Sequence, residues 1–285
     1  MTEMNLADLV LLTTGGEAEI YDLDPDRILR VLWRDNGKSE EKDVILQEIL
    51  ANESIHVPKV YEYLHIQDRA ACIMEKIHGD TLTNEMRKNI RVLVKVPHIL
   101  AELQKKVSSI VMPDSYPSIR DLFTFVTEHG RLQDKELTAF VAQLFNGQRT
   151  ESMLCHGDFH PGNILVSNET MTIIDWSGSY SGNPIADIAH TYILMRQMPR
   201  LPGQSTGNYR VMSFVARIIA ARYLNAAKNL WGFDWATFSA WTVIMSFQRV
   251  TFGLPGERDD RIAYIRKCLS LHRDGVSMKK WFRRV

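Results

Sequence analysis

The chain has 285 residues, of which 45% are hydrophobic and 24% are charged. This composition is ordinary for a soluble globular protein and excludes wholesale disorder. The length exceeds that of one average domain, so either two lobes or one large α/β unit is expected. The sequence contains no repeat, no low-complexity tract and no stretch that approaches the ~20 apolar residues needed to span a membrane.

The net charge is zero, but the charges are unevenly distributed along the chain. Residues 188–285 contain 16 Lys and Arg against 5 Asp and Glu, a charge of +11. Residues 1–187 contain the other 18 basic and 29 acidic side chains, a charge of −11. The basic run 279–284 has the composition of a short membrane-surface or nucleic-acid anchor. We expect a solvated basic end instead, and no nucleic-acid partner; the sequence identifies no protein partner.

The three cysteines, Cys72, Cys155 and Cys268, lie far apart and have neither a paired spacing nor a zinc pattern. They are typical of free thiols in a reducing compartment. A signal peptide begins with a basic segment followed by an apolar run, whereas the first residues of this chain include the acids Glu3 and Asp8. We therefore expect a cytoplasmic protein.

The N-terminal part of the chain is predicted to be a small sheet. Strands are predicted at residues 9–13, 19–23, 28–32, 60–64 and 71–77, with a helix at 39–52. Gly15 and Gly16 form the turn between the first two strands, and Asp24-Pro25-Asp26 is the next turn signal. Arg30 is embedded in the third strand.

From about residue 90 onward the apolar residues recur near a 3.6-residue period, which predicts a helical region. Further helices are predicted within 119–146 and at 185–195, 209–230, 235–252 and 259–271. The aromatic residues between Trp231 and Trp241 are predicted to pack between helices.

A polar motif interrupts this helical region. Residues 154–165 read Leu-Cys-His-Gly-Asp-Phe-His-Pro-Gly-Asn-Ile-Leu, and residues 173–176 read Ile-Ile-Asp-Trp. Transfer of a γ-phosphoryl group needs a carboxylate that orients the attacking hydroxyl and oxygen ligands that hold Mg²⁺ on the phosphates. Asp158, Asn163 and Asp175 supply these parts, and the five-residue spacing from Asp158 to Asn163 is that of the protein-kinase catalytic loop. The motif predicts phosphoryl transfer, with Asp158 catalytic and Asn163 and Asp175 holding Mg²⁺.

These residues resemble the aminoglycoside phosphotransferase and choline kinase-like family, whose members are small-molecule kinases with a protein-kinase-like fold. The resemblance rests on His156-Gly157-Asp158, Asn163 and Ile174-Asp175-Trp176, and continues through Gly182-Asn183-Pro184 and Asp187-Ile188-Ala189. Asn183 departs from the usual Asp. The resemblance implies that Asp187 braces the catalytic loop and that His156 positions it.

The resemblance also implies an α+β, two-lobed fold, with a small, mainly antiparallel β N-lobe and a large, mainly helical C-lobe. The N-lobe would comprise residues 1–77, with the hinge at its end, and the C-lobe residues 78–285. The adenine of the nucleotide would then bond to backbone groups near Glu75 and Ile77. ATP or GTP is the implied co-substrate, with Mg²⁺ as cofactor.

Arg30 occupies the strand position where protein kinases carry the Lys that reaches the nucleotide phosphates. A guanidinium binds phosphate oxygens through two nitrogens and keeps its charge, so it can serve this function. The backbone of Gly15 and Gly16 is expected to contact the same phosphates. The helix after Arg30 offers three acids that could pair with it, and the sequence does not separate Glu41, Asp43 and Glu48.

Three alternatives remain open. His156, Asp158 and His160 alternate as the ligands of a metal-dependent hydrolase or oxygenase might, although that reading leaves Asn163 and Asp175 unexplained. His160 has no other assigned role. The chain could also be a nucleotide-binding pseudokinase that acts as a scaffold, or an aminoglycoside-resistance phosphotransferase.

The charge distribution bears on the phosphate acceptor. Polycationic aminoglycosides need acidic walls, whereas the helices after the metal-binding Asp, where the resembling enzymes hold the acceptor, are strongly basic here. The sequence therefore predicts a neutral or anionic small-molecule acceptor.

Overall fold

The computed structural model describes residues 5–33, 39–130, 132, 134–168, 170–196, 205–253 and 255–281. The chain forms two compact units. The first comprises Met1–Glu85 and Gly162–Ser177, and the second comprises Met86–Pro161 and Gly178–Val285. The first unit is built around β-sheet and the second mainly from helices. The predicted α+β class with an antiparallel N-terminal part and a helical C-terminal part is confirmed.

The first unit contains a five-stranded antiparallel sheet with one helix. Its elements are β1 (Val10–Thr14), β2 (Ala18–Asp24), β3 (Arg27–Leu32), α1 (Ser39–Leu50), β4 (Val60–Ile66) and β5 (Arg69–Glu75). The strand order is β1-β2-β3-β5-β4. Side chains alternate between the faces of a strand, and in β3 this alternation buries Leu29 and Val31 completely. Arg30, the residue between them, lies on the opposite face of the sheet.

A second, three-stranded sheet of the first unit positions the end of the polar motif. It has the order β6 (Asp80–Thr81), β8 (Ile164–Ser167) and β9 (Thr170–Ile173), with β8 and β9 forming an antiparallel hairpin. A parallel bridge joins His56 to Thr172. These pairings are the reason that residues 78–85 and 162–177 join the first unit. The lobe boundary after residue 77 remains a prediction.

The second unit consists of helices and a short two-stranded sheet. Its elements are α3 (Ile90–Val107), α4 (Ile119–His129), α5 (Lys135–Asn146), β7 (Met153–Cys155), β10 (Tyr180–Gly182), α6 (Pro184–Arg196), α7 (Thr206–Trp231), α8 (Trp235–Phe252) and α9 (Arg258–Arg273). A short helix, α2 (Leu82–Lys88), precedes α3. Ser118 and Asp121 form a capping box at α4, which satisfies donors that a helix start leaves open.

Two helices form the centre of the second unit. Residues all around α6 and α8 are buried, from Ile185 to Met195 and from Phe238 to Phe247, and this is the pattern of core helices rather than surface ones. The predicted packing of aromatic residues is confirmed, since Phe233 stacks on Phe238 with ring centroids 5.4 Å apart. None of the helices formed by the described residues has the length and apolar composition that crossing a membrane requires.

The C-terminal basic run is only partly within the described residues. Lys279 and Lys280 are exposed, as a solvated basic end requires. Trp281 is fully buried, and its indole nitrogen donates to the carbonyl oxygen of Val276 at 2.8 Å. An anchor built on this tryptophan is therefore excluded, and residues 282–285 lie outside the described part of the chain.

Candidate active site

The catalytic loop begins in the second unit, directly after β7. Gly157 has φ of +77°, a left-handed conformation that side chains rarely adopt. A Cβ at this position would also overlap the carbonyl oxygen of Gly178. Both constraints require glycine, so Gly157 sets the turn that leads into Asp158.

Asp187 holds this turn from the first residues of α6. Its carboxylate accepts hydrogen bonds from the backbone N–H of Gly157 at 2.8 Å, that of His156 at 3.2 Å and the side-chain amide of Gln104 at 2.8 Å. The Asp187 side chain is only 1% exposed. A buried carboxylate is tolerated where several donors satisfy it, so this geometry fits the predicted role of a brace.

His156 points into the core of the second unit. It is fully buried, its Nδ1 accepts from the backbone N–H of Asp158 at 3.3 Å, and its ring meets the edge of Phe159. The described residues contain no group of three or more His, Cys, Asp or Glu side chains arranged to hold a metal ion. The buried ring and its engaged nitrogen favour the predicted positioning role over the alternative in which His156, Asp158 and His160 bind a metal.

Asp158 is partly exposed and faces His160, whose Nε2 lies 3.5 Å from its Oδ2. Burial pushes the pKa of Asp158 upward, but the interactions with His160, His190 and His156, of which His160 contributes most, together hold the pKa below its usual range. Burial lowers the pKa of the nearby His190 to about 3, so that imidazole is neutral at pH 7. Asp158 is therefore an ionised carboxylate that can accept a proton.

Asn163 and Asp175 lie at the same end of the β8–β9 hairpin in the first unit. Ile164 pairs with Ile173, and one step further out the backbone N–H of Ile174 donates to the carbonyl oxygen of Asn163 at 3.0 Å. Asn163 and Asp175 therefore lie within one residue of each other in the strand register, at the end of the hairpin away from its turn. An amide oxygen and a carboxylate oxygen are the hard ligands that Mg²⁺ accepts, so these side chains fit the ion.

Asp175 itself adopts an unusual backbone conformation. Its φ is +60°, in the left-handed region where non-glycine residues are uncommon and where Asp is tolerated best. The hydroxyl of Ser177 donates to its Oδ1 at 2.8 Å. Such conformations cost about 1–3 kcal/mol and cluster at functional sites.

Arg30 lies between two acids of the first unit. Its guanidinium nitrogens are 4.0 Å from Oδ2 of Asp43 and 4.0 Å from Oδ1 of Asp175. The side chain is 17% exposed, so it does not point to solvent. Among the three acids predicted as partners, Glu41 and Glu48 are exposed on α1, and the structure brings Asp43 to Arg30.

Lys42 is a residue of this site that sequence reasoning missed. Its ammonium donates to the carbonyl oxygens of Ser177 at 2.5 Å and Trp176 at 3.4 Å, directly after Asp175. Burial lowers its pKa to about 8. A lysine on an amphipathic helix is usually solvated, and only the fold reveals which carbonyls it meets; the one sequence signal was its position beside Asp43.

The predicted nucleotide-binding backbone groups lie at the two ends of the five-stranded sheet. Gly15 and Gly16 follow β1, and the N–H of Gly15 donates to the carbonyl oxygen of Ala18 at 2.8 Å. A Cβ at Gly16 would meet no atom within 4 Å. The fold itself therefore does not require glycine there, in contrast to Gly157.

The predicted hinge begins at the end of β5, which begins and ends two residues earlier than predicted. The strand ends at Glu75, whose N–H donates to the carbonyl oxygen of Lys59 at 2.8 Å, and the N–H of Lys76 donates to Asp26 at 2.8 Å. These two N–H groups are engaged within the sheet and its turn. Ile77 follows the end of the strand, as the hinge prediction requires.

A model of the Phosphotransferase enzyme family (APH) matches residues 27–241, well over half of the chain. The chain belongs to this family. It is therefore a phosphotransferase enzyme, and the resemblance based on the catalytic motif is confirmed.

Solved structures share the fold of this phosphotransferase. A thermostable mutant of aminoglycoside phosphotransferase APH(4)-Ia superposes with a TM-score of 0.61 at 20% identity, over 94% of each chain. The amicoumacin kinase hAmiN superposes with a TM-score of 0.64 at 14% identity, over 97% of this chain and 91% of that one. Aminoglycoside-3'-phosphotransferase of type VIII superposes with a TM-score of 0.61 at 15% identity, over 85% of this chain and 93% of that one. At these identities the likeness concerns the fold.

Proposed function

We propose that this phosphotransferase moves the γ-phosphoryl group of ATP or GTP to a hydroxyl of a small molecule, with Mg²⁺ as cofactor. The observation that carries the proposal is the arrangement at the end of the β8–β9 hairpin. There Asn163 and the left-handed Asp175 lie at the same end of the hairpin, and Arg30 lies 4.0 Å from the Asp175 carboxylate. Two oxygen ligands beside a cation are what binding of a metal–triphosphate requires.

The first unit would hold the nucleotide. Asn163 and Asp175 would hold Mg²⁺, which when bound neutralises charge on the phosphate oxygens. Arg30 would contact the phosphates, and Asp43 keeps its guanidinium in place from α1. Because the N–H of Gly15 is engaged by Ala18, the turn at Gly15 and Gly16 would offer the backbone N–H of Gly16, while the backbone at Glu75 and Ile77 would receive the base.

The second unit would supply the acceptor side of the reaction. Asp158 would orient the acceptor hydroxyl and take its proton late in the transfer. The low pKa of Asp158 keeps it in the ionised form that accepts a proton. Asp187 and His156 would position the loop through the hydrogen bonds described above.

The structural neighbours support a nucleotide-dependent small-molecule kinase. One structure of APH(4)-Ia is a ternary complex with ADP and hygromycin B, and the amicoumacin kinase structure contains AMP-PNP, Ca²⁺ and Ami. Both pair a nucleotide with a small molecule. We infer the same class of reaction for this chain, which favours an enzyme over a pseudokinase scaffold.

We infer a neutral or anionic acceptor. Residues 188–285 carry +11, and the helices α6 to α9 of the second unit contain most of this stretch. A polycationic acceptor would be repelled by such a surface. The second candidate function is aminoglycoside resistance, which is favoured by the fold likeness to APH(4)-Ia and is tested by turnover of kanamycin-like substrates.

The test is a screen of metabolites and antibiotics for nucleotide-dependent phosphorylation, with ATP and GTP in parallel. For any acceptor found, Asp158→Asn should lower turnover by about 10²–10⁴-fold and leave nucleotide affinity nearly intact. Asp114→Asn, at an exposed position of the same unit, is the matched control. An equal loss of turnover and nucleotide affinity in Asp158→Asn would contradict the assigned role.

A further inference from the structure

A cavity in the second unit lies outside the residues assigned above. Its volume is about 370 Å³, within the usual range for small-molecule sites. The walls come from α6, α7, α8 and α9. Four of its lining side chains are cations, namely Arg196, Arg217, Arg261 and Lys267, and Asp260 is the acid among them.

Arg261 makes this a built site rather than a basic surface. The side chain is 6% exposed, and burial lowers its pKa to about 10, so it remains charged at neutral pH. The neighbouring acid Glu257 is engaged by Arg249, which donates to it at 2.6 and 2.8 Å. The acids Glu257 and Asp260 offset part of the charge on Arg261, but Glu257 is shared with Arg249, and the four cations that line the cavity outnumber its one acid.

Hydroxyl groups complete the walls. Ser246 is fully buried and lines the cavity, and its Oγ has no hydrogen-bond partner among the described residues. Thr242 and Tyr264 also line the cavity, with their hydroxyl oxygens 2.9 Å apart. Hydroxyl and guanidinium donors together are suited to carboxylate or phosphate oxygens.

Helix α6 connects the cavity to the catalytic loop. Asp187, which braces the loop, and the cavity residues Tyr192 and Arg196 lie on this one helix. With a rise of 1.5 Å per residue, these two side chains lie about 8 and 14 Å along the helix from Asp187. One helix therefore holds the cavity at a fixed separation from the residue that braces the catalytic loop.

We propose that this cavity binds an anionic group, a carboxylate or a phosphate, carried by the acceptor whose hydroxyl is phosphorylated. The identification of the ligand as the phosphate acceptor rests on the proposed function, whereas its negative charge is inferred from the cavity alone. It narrows the acceptor class to hydroxyl compounds that also carry an acidic group.

The anion site is tested without turnover. The full chain is titrated with inorganic phosphate at constant ionic strength, and its thermal unfolding temperature is followed, since a ligand of the native state raises it. Arg217→Gln and Lys267→Gln change exposed cavity residues, so both variants should fold. Each should weaken phosphate binding by about tenfold or more. Arg222→Gln, exposed on the same helix α7, is the matched control and should bind as the wild type does.

Phosphate could also bind in the first unit, so Arg30→Gln is titrated in parallel. The proposal requires that this variant keeps the wild-type response. If the response is absent in the wild type, or is lost in Arg30→Gln and kept in Arg217→Gln and Lys267→Gln, the cavity is not an anion site. Phosphate binding is measured without phosphoryl transfer. The anion site can therefore be disproved while the kinase activity is confirmed, and the kinase activity can be disproved while the anion site is confirmed.

The source of the anion is decided by kinetics. Hydroxy acids and phosphorylated alcohols are compared with their amides and unphosphorylated counterparts as acceptors. The acidic members should be turned over, and Arg217→Gln should raise their KM about tenfold with kcat unchanged. A variant that loses phosphate binding yet leaves the KM of every acceptor unchanged would overturn the acceptor assignment and make the anion a separate ligand.

Discussion

Replacing Asp187 by Ala tests whether one buried carboxylate organises the catalytic loop. The substitution leaves three buried N–H donors, on Gln104, His156 and Gly157, without their acceptor. Each unsatisfied buried donor costs about 1–3 kcal/mol. Because the neighbours relax and water can enter, we expect a loss of about 3–5 kcal/mol in the free energy of unfolding. Asp187→Asn keeps the shape and one acceptor oxygen, so it should cost about 1–3 kcal/mol.

The measurement is urea unfolding, followed by tryptophan fluorescence and far-UV circular dichroism. Glu128→Ala is the control, because Glu128 is exposed on α4 and surface substitutions usually change stability by less than about 0.5 kcal/mol. A loss below about 1 kcal/mol in a natively folded Asp187→Ala variant would refute the reasoning, because it would mean that these donors find other acceptors.

Three further predictions concern the same two units. Gly157→Ala should destabilise the fold by about 2 kcal/mol or more, whereas Gly16→Ala should leave the unfolding temperature unchanged and weaken nucleotide binding in a titration; equal effects on stability would contradict the steric argument. Lys42→Met should lower turnover and weaken Mg²⁺-dependent nucleotide binding more than Lys42→Arg does, because arginine still donates to the two carbonyls; identical kinetics of both variants would exclude the positioning role. Since His160 holds the pKa of Asp158 low, activity should not fall through protonation of Asp158 between pH 7 and 5, and His160→Gln should move the acid limb of the kcat/KM profile to higher pH; an unmoved limb would remove His160 from this role.

Several features of the fold followed from local patterns in the sequence. The residues of α8 were predicted without error, and α6, α7 and α9 were predicted to within three residues at each end, because long periodic segments are a strong signal. The short strands β6, β7, β8 and β10 were missed. Strands of two to four residues carry too little alternation to be recognised, and the pairs β7–β10 and β6–β8 join segments that lie far apart in the chain.

The candidate site divides in the same way. The spacing of Asp158, Asn163 and Asp175 is a local signal, and it predicted the chemistry of the family to which the chain belongs. The sequence could not predict that Asp43, rather than Glu41 or Glu48, is the acid beside Arg30, because this depends on which face of α1 turns toward Arg30. The contact of Lys42 with the carbonyl oxygens after Asp175 could not be predicted for the same reason.

The sequence by itself determined the reaction class and the positions of the long helices, because both depend on residue types at short, fixed spacings. Only the tertiary structure decided that Lys42 meets the carbonyls after Asp175, that Asp187 satisfies three buried donors, and that cations from three helices line one cavity. The contacts of Lys42 and Asp187 join residues that are 30 or more positions apart, and the cavity combines residues of separate helices. Such contacts depend on how helices and strands pack against each other, and no local pattern of residues encodes that packing.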